Sequence, residues 1–299
     1  MKEFLRILKD LNIEFEVDFN LAKASSFRVG GSTDIAIFPH NESELISAIV
    51  EARNNGIRFE VIGNASNVLF SDDGFSGAII FTKKLCELSC EGNIIKAFCG
   101  AKLPVLSNLA LGNSLSGLEF SHGIPGSVGG AIAMNAGAYG GAISDVLEYS
   151  RALDINTGIV QTLNQNEHRF DYRRSIYTEN KNLICIEAVF TLNKGNITDI
   201  NNKMQENLQS RKDKQPYDLP SCGSFFKRPE GHFAAKLIDD CNLKGVSVGG
   251  AMVSPKHAGF IVNTGGATSS DIVALAELVE NTVCEKFGVK LEREVKYIF

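Results

Sequence analysis

Two short segments crowd glycine into this chain more densely than local structure requires. Gly123-Ile-Pro-Gly-Ser-Val-Gly-Gly-Ala131 runs almost directly into Met134-Asn-Ala-Gly-Ala-Tyr-Gly-Gly141. A glycine inside a helix or strand costs roughly 0.5–1 kcal/mol against alanine, so this density argues against either element there. Glycine backbone lets successive N–H groups approach phosphate oxygens with no Cβ in the way. Tight turns and close backbone packing would use glycine as well. A second loop of small residues, Gly63-Asn-Ala-Ser-Asn67, tilts the balance towards a polyanion, because it adds amide and hydroxyl donors for a second phosphate or a ribose.

Cations stand beside aromatics and serines in two further segments. Arg173 lies in Asp171-Tyr-Arg-Arg-Ser-Ile-Tyr177, and Lys227 and Arg228 lie in Ser221-Cys-Gly-Ser-Phe-Phe-Lys-Arg-Pro229. An anionic substrate needs such groups, although surface ion pairing would also account for them. Ser224 follows Gly223, which permits a tight turn, but no histidine motif marks Ser224 as a nucleophile. Glu294, in Leu291-Glu-Arg-Glu-Val295, reads as a solvated carboxylate at the start of a final strand. From residue chemistry alone, the chain binds a phosphorylated ligand, a dinucleotide by its two loops, beside a second anionic ligand.

The elements that must position these groups follow from hydrophobic period. Phe4, Leu5, Leu8 and Leu11 share a helical face over residues 2 to 12. A β-α-β unit comes next: strand 34–38, a helix from Asn41 with Glu44 as its capping partner and Gly56 as its stop, then strand 59–62. That strand delivers the Gly63–Asn67 loop, and strand 68–70 follows with the turn Ser71–Gly74. Strands at 78–81 and 94–98, a helix at 103–112 and strands at 152–155, 160–163 and 183–192 complete an α+β middle region, with a hairpin turn at Thr157-Gly158. Beyond Asn193-Lys-Gly-Asn196 come a polar helix to about residue 213, a loop from Gln215 to Gly223 and a closing helix at 270–287. The pattern changes near residue 196, where the main boundary is expected.

Composition excludes several classes. The 299 residues are 44% hydrophobic and 22% charged, which is globular, and 30 Lys and Arg against 35 Asp and Glu give a net charge of −5 with no basic stripe for nucleic acid. No apolar run reaches the ~18 residues that span a bilayer, and no secretory signal opens the chain, so a cytoplasmic protein without membrane insertion is expected. Seven cysteines in no metal-binding or C-x-x-C spacing read as reduced thiols. Five separated histidines offer no metal site. The Walker, zincin, nucleophile-elbow, EF-hand and Rossmann motifs are all missing.

Several ordered segments together resemble the UDP-N-acetylenolpyruvoylglucosamine reductases, flavoenzymes of bacterial peptidoglycan synthesis. They are Ser25-Ser-Phe-Arg-Val-Gly-Gly31, Val61-Ile-Gly-Asn-Ala-Ser-Asn67, Leu118 to Gly130 with Met134-Asn-Ala-Gly137, Asp171-Tyr-Arg-Arg-Ser175, Pro220 to Lys227, and His257-Ala-Gly-Phe-Ile-Val-Asn263. The resemblance implies an α+β fold: a two-lobed FAD-binding region of the vanillyl-alcohol-oxidase type over residues 1–196, with lobes of about 1–75 and 76–196, and a substrate-binding α+β domain over 197–299. It implies noncovalent FAD, held by Gly63, Asn64, Ala65, Ser66, Asn67, Gly123, Ile124, Pro125, Gly126, Ser127, Gly129, Gly130, Asn135, Ala136 and Gly137. NADPH would supply the hydride, which passes through flavin N5 to C3 of the enolpyruvyl group of UDP-N-acetylglucosamine enolpyruvate, giving UDP-N-acetylmuramate for the cell wall and hence for cell shape and division.

By the same resemblance the catalytic residues are Arg173, Ser224 and Glu294. Arg173 would stabilise the developing enediolate, Ser224 would protonate C2, and Glu294 would orient Arg173 or share the acid role. Tyr172, Lys227, Arg228 and His257 would bind substrate. The partners expected are these small molecules and no nucleic acid, the protein is expected to be a monomer, and its length resembles the shorter of the family's two types. Three positions depart from the family pattern. Ala65 replaces a frequent glycine and is tolerated unless its φ is positive, Arg228 stands where some members have asparagine, and Arg293 stands where proline often precedes the glutamate. The competing readings are an oxidase on the same fold, to which His122 could link a flavin covalently, and a sensor that kept the pocket without the chemistry.

Overall fold

The computed structural model describes all residues from Met1 to Phe299, and the chain divides into two compact units. The first comprises Met1–Val17, Ile35–Asn64 and Gly77–Ser210. Helix α1, Lys2–Asp10, buries Phe4 and Leu8. Helix α2, Glu42–Asn54, turns Leu45, Ala48, Ile49 and Ala52 inward. Its cap is reciprocal but displaced by one residue: Asn41 Oδ1 accepts the Glu44 N–H at 2.9 Å, while the Glu44 carboxylate accepts from His40 N at 2.8 Å. Crossing by α2 returns strand Phe59–Ile62 parallel to Phe75–Phe81, with Phe59 opposite Ala78 and Ile62 opposite Phe81. These belong to a four-stranded sheet ordered Phe15–Asn20, Ser32–Ile37, Phe75–Phe81, Phe59–Ile62.

A five-stranded antiparallel sheet fills the rest of this unit, ordered Val160–Asn164, Leu147–Asp154, Leu183–Thr191, Ile94–Phe98, Leu88–Glu91. Gly158, at φ +73°, closes the expected hairpin. Helix α3, Leu103–Gly112, starts with Pro104 in its first turn, where a missing N–H costs nothing. Helices α4, Val128–Ala133, α5, Ile176–Glu179, and α6, Ile197–Lys214, follow. Helix α4 corrects the sequence reading, because Gly129 and Gly130 lie inside a helix rather than a loop. The reason is packing: a Cβ on Gly129 would stand 2.9 Å from the Cβ of Cys99, and the Gly129 N–H donates to the Cys99 carbonyl at 2.8 Å. Close approach to a neighbouring strand end therefore offsets the helix-propensity cost.

The second unit comprises Asp18–Asp34, Ala65–Ser76 and Arg211–Phe299. It contains helix α7, Ala234–Asp240, a three-stranded sheet of Ser247–Val248, Ala251–Val253 and Ile261–Asn263, and helix α8, Ser269–Phe287. Thr268 caps α8 and Gly288, at φ +67°, ends it. Asp72 accepts from Ser269 N at 2.7 Å and Ser270 N at 3.0 Å. Burial works against its charge, but these donors hold its carboxyl below the ordinary range. Strand Lys296–Ile298 runs parallel to Val68–Phe70. Phe27, Val29 and Leu69 share a core with Phe225, Phe226, Ile238, Ile272 and Val279. This division differs from a boundary at residue 196: residues 197–210 belong to the first unit, and two early segments join the second. Hydrophobic period reports which face of an element is buried, and carries no information about which distant segment covers it.

One buried network in the first unit sets a pH dependence. His168 is fully buried and stacks on Phe170 at 5.0 Å. Its Nε2 meets Ser150 Oγ at 2.7 Å, its Nδ1 meets the Asn164 carbonyl at 2.8 Å, and Tyr177 Oη joins Ser150 Oγ at 2.6 Å. Burial lowers the His168 pKa, so the unfolded chain takes up the proton first as pH falls. Burial also lowers His122 and His257. Their contribution to stability is complete above the unfolded histidine value of about 6.5 and is lost as pH drops through the folded values. Urea unfolding should therefore show stability falling from pH 8 to pH 5.5. His168→Gln should cost about 1–3 kcal/mol at pH 8 by leaving buried partners unsatisfied, and should flatten that slope. An unchanged slope would remove His168 as its source.

Candidate functional site

In the first unit the two small-residue segments meet. Asn64 Nδ2 donates to the Pro125 carbonyl at 2.6 Å, and a Cβ on Gly63 would fall 2.1 Å from Ser127 Oγ and 3.1 Å from Ser127 Cβ. Position 63 therefore admits only glycine while Ser127 keeps its place. Ser127 is held there from three sides. It bridges to Lys102, its neighbour Gly126 accepts from Leu103 N at 3.1 Å, and its Oγ accepts from Gly130 N at 3.4 Å as the N-cap of α4. Ile124 packs on the first core, while Gly126, Gly130, Gly63 and Asn64 retain access to solvent. The result is a shallow backbone cradle with no side-chain carbon at its closest point.

The chain passes to the second unit after Asn64, so the five-residue loop is divided. Ala65 adopts φ +46°, the left-handed conformation in which an L side chain is strained, and its carbonyl accepts from Ser26 N at 3.3 Å. This is the circumstance under which alanine differs from glycine. Ser66 is partly exposed. Asn67 grips the C-terminal segment: its Nδ2 donates to the Glu294 carbonyl at 3.1 Å and its carbonyl accepts from Lys296 N at 3.0 Å.

Helix α4 leads to the third predicted group. Asn135, at φ +40°, accepts from Ser144 N at 3.0 Å and donates to the Asp171 carbonyl at 3.3 Å, so both ends of its amide are engaged within the protein. Ala136 N donates to the Ala131 carbonyl and Gly137 pairs with Ala142, which makes both part of the backbone frame. Asp171 and Arg174 exchange two backbone hydrogen bonds of 3.2 Å, leaving Tyr172 and Arg173 at the tip of a two-residue turn. Arg173 has φ +55° and holds its guanidinium 5.4 Å from the Tyr172 ring centroid. Strain of this kind at a cation persists only where the surroundings enforce it. Arg174 is spent on Glu179.

In the second unit Phe225–Lys227 pairs antiparallel with Glu292–Glu294: Glu294 N donates to Phe225 O and Lys227 N to Glu292 O, each at 2.8 Å, about the Phe226–Arg293 bridge. This register sets Phe225 opposite Glu294, with Ser224 as the preceding residue on its segment. Gly223, at φ +79°, makes the turn before Ser224. Arg293 forms a two-pronged pair with Glu280 of α8 at 2.6 and 2.8 Å, which raises the Arg293 pKa and fixes the backbone beside Glu294. His257 joins through Gly259, whose N–H donates to His257 Nδ1 at 3.1 Å and whose carbonyl accepts from Phe225 N. An accepting Nδ1 and a lowered pKa leave Nε2–H as the ring's donor.

Lys227 pairs with Glu292, and Arg228 lies over the Phe233 ring at 4.2 Å. Sequence reasoning missed Ser175, which caps α5 and ties the Arg173 turn to α4 by donating to the Ala133 carbonyl at 2.8 Å. A serine followed by Ile-Tyr-Thr-Glu was the available signal for that cap. The pairing of Asn67 with Glu294 had none, because 227 residues separate them.

Comparison with known proteins places these features. Residues 33–164 match the FAD-binding domain family, and residues 215–298 match the C-terminal domain of UDP-N-acetylenolpyruvoylglucosamine reductase. Curated UDP-N-acetylenolpyruvoylglucosamine reductases from Caldicellulosiruptor bescii and Clostridium botulinum are each 45% identical to 99% of this chain, which covers 94% and 97% of their lengths. The crystal structure of UDP-N-acetylenolpyruvylglucosamine reductase from Thermus caldophilus superposes with a TM-score of 0.81 at 31% identity, over 96% of this chain and 99% of that one. Alkyldihydroxyacetonephosphate synthase, 16% identical over 65% of this chain and 40% of its own with a TM-score of 0.50, shares the fold alone. The fold is thus the expected α+β FAD-binding architecture with a distinct C-terminal domain.

A pyrophosphate-bearing cofactor would find in this cradle solvent-accessible glycine backbone, held in place by the packing of Gly63 on Ser127. Gly63→Ala should drive Ser127 off its cap and weaken FAD retention by roughly tenfold or more, about the value of one lost hydrogen bond to a charged group. Adding Ser127→Gly should recover part of that loss. Flavin fluorescence titration checks both, and equal FAD affinity in the wild type and Gly63→Ala would remove the cradle's role.

Proposed function

The chain belongs to the UDP-N-acetylenolpyruvoylglucosamine reductase family, and on that premise we propose that it is the NADPH-dependent flavoenzyme that reduces UDP-N-acetylglucosamine enolpyruvate to UDP-N-acetylmuramate. The supporting observation is a likeness that runs the length of the chain and includes both domain families in order. The product feeds peptidoglycan synthesis, and with it cell shape and division. We take it to work as a monomer in the cytoplasm, where a reducing environment keeps cysteines such as its seven as free thiols. No helix is long and apolar enough to cross a membrane.

Gly63, Asn64 and the Gly123–Ser127 backbone would hold the cofactor's pyrophosphate, with Gly129 and Gly130 allowing the helix behind it. FAD, when bound, supplies the chemistry that accepts a hydride from NADPH and delivers it to C3 of the enolpyruvyl group. Addition of hydride at C3 pushes an electron pair through C2 into the carboxylate. Arg173 is the cation for that charge, an interaction that grows towards the transition state and therefore lowers the barrier. Ser224 Oγ donates the proton to C2, completing the saturated lactyl ether. A hydroxyl is a weak acid, so this step draws on a strongly basic intermediate and on a relay that returns the proton to Ser224. Glu294 would orient Arg173 or take a share in that acid role. Tyr172, Lys227, Arg228 and His257 remain the substrate-binding candidates, and Lys227 would exchange Glu292 for the substrate.

Anaerobic stopped flow separates the two half-reactions. NADPH should bleach the flavin, and UDP-N-acetylglucosamine enolpyruvate should restore its oxidised spectrum. Ser224→Ala should leave the first step unchanged and slow the second by roughly 10²- to 10⁴-fold, the usual contribution of a positioned general acid. Reoxidation at the wild-type rate would eliminate Ser224 as the proton donor.

A further inference from the structure

Asn135 stands beside the cofactor-binding backbone, where sequence reading makes it a cofactor ligand, yet both ends of its amide face protein. The Ser144 N–H at 3.0 Å requires an acceptor, which fixes Oδ1 on that side and turns Nδ2 towards the Asp171 carbonyl at 3.3 Å. The same carbonyl accepts from Arg174 N at 3.2 Å, closing the turn that carries Arg173. One oxygen therefore serves both the turn's own closure and the Asn135 clamp. At φ +55°, Arg173 occupies a conformation that its side chain does not favour, and the peptide at Asp171 must be held for that conformation to persist. Ser175 adds a second tie on the far side of the turn, from its Oγ to the Ala133 carbonyl at 2.8 Å, two residues before Asn135. Asn135 itself adopts φ +40°, which asparagine and aspartate tolerate better than other side chains, so this residue type satisfies the backbone and both hydrogen bonds at once.

We propose that Asn135 is a positioning residue for the reduction of the enolpyruvyl substrate, holding the Asp171–Arg174 turn so that Arg173 is preorganised, and that it is not a ligand of the cofactor. This inference rests on the role given to Arg173 above. Asn135→Asp separates the two halves of the amide: the carboxylate still accepts from Ser144 N but cannot donate to the Asp171 carbonyl, and it sets two oxygens against each other. Asn135→Gly keeps the left-handed backbone, removes both bonds and serves as the second variant where Asn135→Asp fails to fold.

The test uses FAD-loaded protein in anaerobic stopped flow, with Arg173→Ala and the Asn135→Asp/Arg173→Ala double variant alongside. In Asn135→Asp, FAD affinity and the rate of flavin reduction by NADPH should stay within about twofold of wild type, while the reoxidation rate at saturating UDP-N-acetylglucosamine enolpyruvate falls at least tenfold, the scale of one lost charge-preorganising contact. In the Arg173→Ala background the same change should have no further effect on reoxidation, because the residue it positions is gone; a general structural role would slow both backgrounds alike. Loss of FAD affinity with unchanged reoxidation would make Asn135 a cofactor ligand and overturn the proposal. Wild-type reoxidation in Asn135→Asp together with slow reoxidation in Arg173→Ala would overturn the positioning role alone. Wild-type rates in both variants would remove the role of Arg173, and the proposal with it.

Discussion

In the first unit the backbone at Gly63 lies so close to the hydroxyl of Ser127 that no space is left for a side-chain carbon, and much else is arranged around this approach. Ser127 must hold its position to cap α4, and α4 must lie close to Cys99, which requires glycine at position 129. From the end of that short helix, Ala133 and Asn135 reach Ser175 and Asp171, whose turn bears Arg173. A single chain of short contacts thus joins the segment suited to a pyrophosphate to the cation suited to a carboxylate. Each link is a backbone group or a short side chain, which has little rotamer entropy to lose on ordering.

In the second unit the corresponding frame is a short antiparallel ladder. Phe225–Lys227 and Glu292–Glu294 set the register of Ser224 and Glu294, and Arg293 is anchored by Glu280 rather than by a restricted proline ring. A two-pronged ion pair and a fixed φ are different means to the same end, a backbone that cannot turn beside the carboxylate. Asn67 closes the frame from the opposite direction.

Much of this was legible in the sequence. The first helix, the β-α-β unit with its Asn41 cap, the 103–112 helix and the long terminal helix follow directly from hydrophobic period and capping chemistry. That the Gly63 and Gly123 segments lie together followed from the family resemblance, which gives both loops to one pyrophosphate; residue chemistry marked each loop separately. Two things were hidden. Glycine density concealed α4, since propensity is a local quantity and the packing against Cys99 that overrides it is not. The division of the chain was hidden because residues 18–34 and 65–76 bear no local mark of a partner that begins at residue 211. The catalytic candidates came from family motifs, whereas residue chemistry alone stopped at two anionic ligands.

That interleaving governs how the chain can be made. Phe27, Val29 and Leu69 belong to a core whose other members lie between Cys222 and Val295, so these early apolar residues leave the ribosome long before their partners exist. At ~5–20 residues per second, synthesis of the roughly 225 residues between Leu69 and Val295 occupies roughly 10–45 s. Through that interval the first unit can gather its own sheets while two short apolar segments wait uncovered, and Lys296–Ile298, which pairs with Val68–Phe70, emerges later still. The newborn chain is therefore exposed to aggregation and chaperone capture at Phe27 and Leu69, early in sequence, until those partners have emerged.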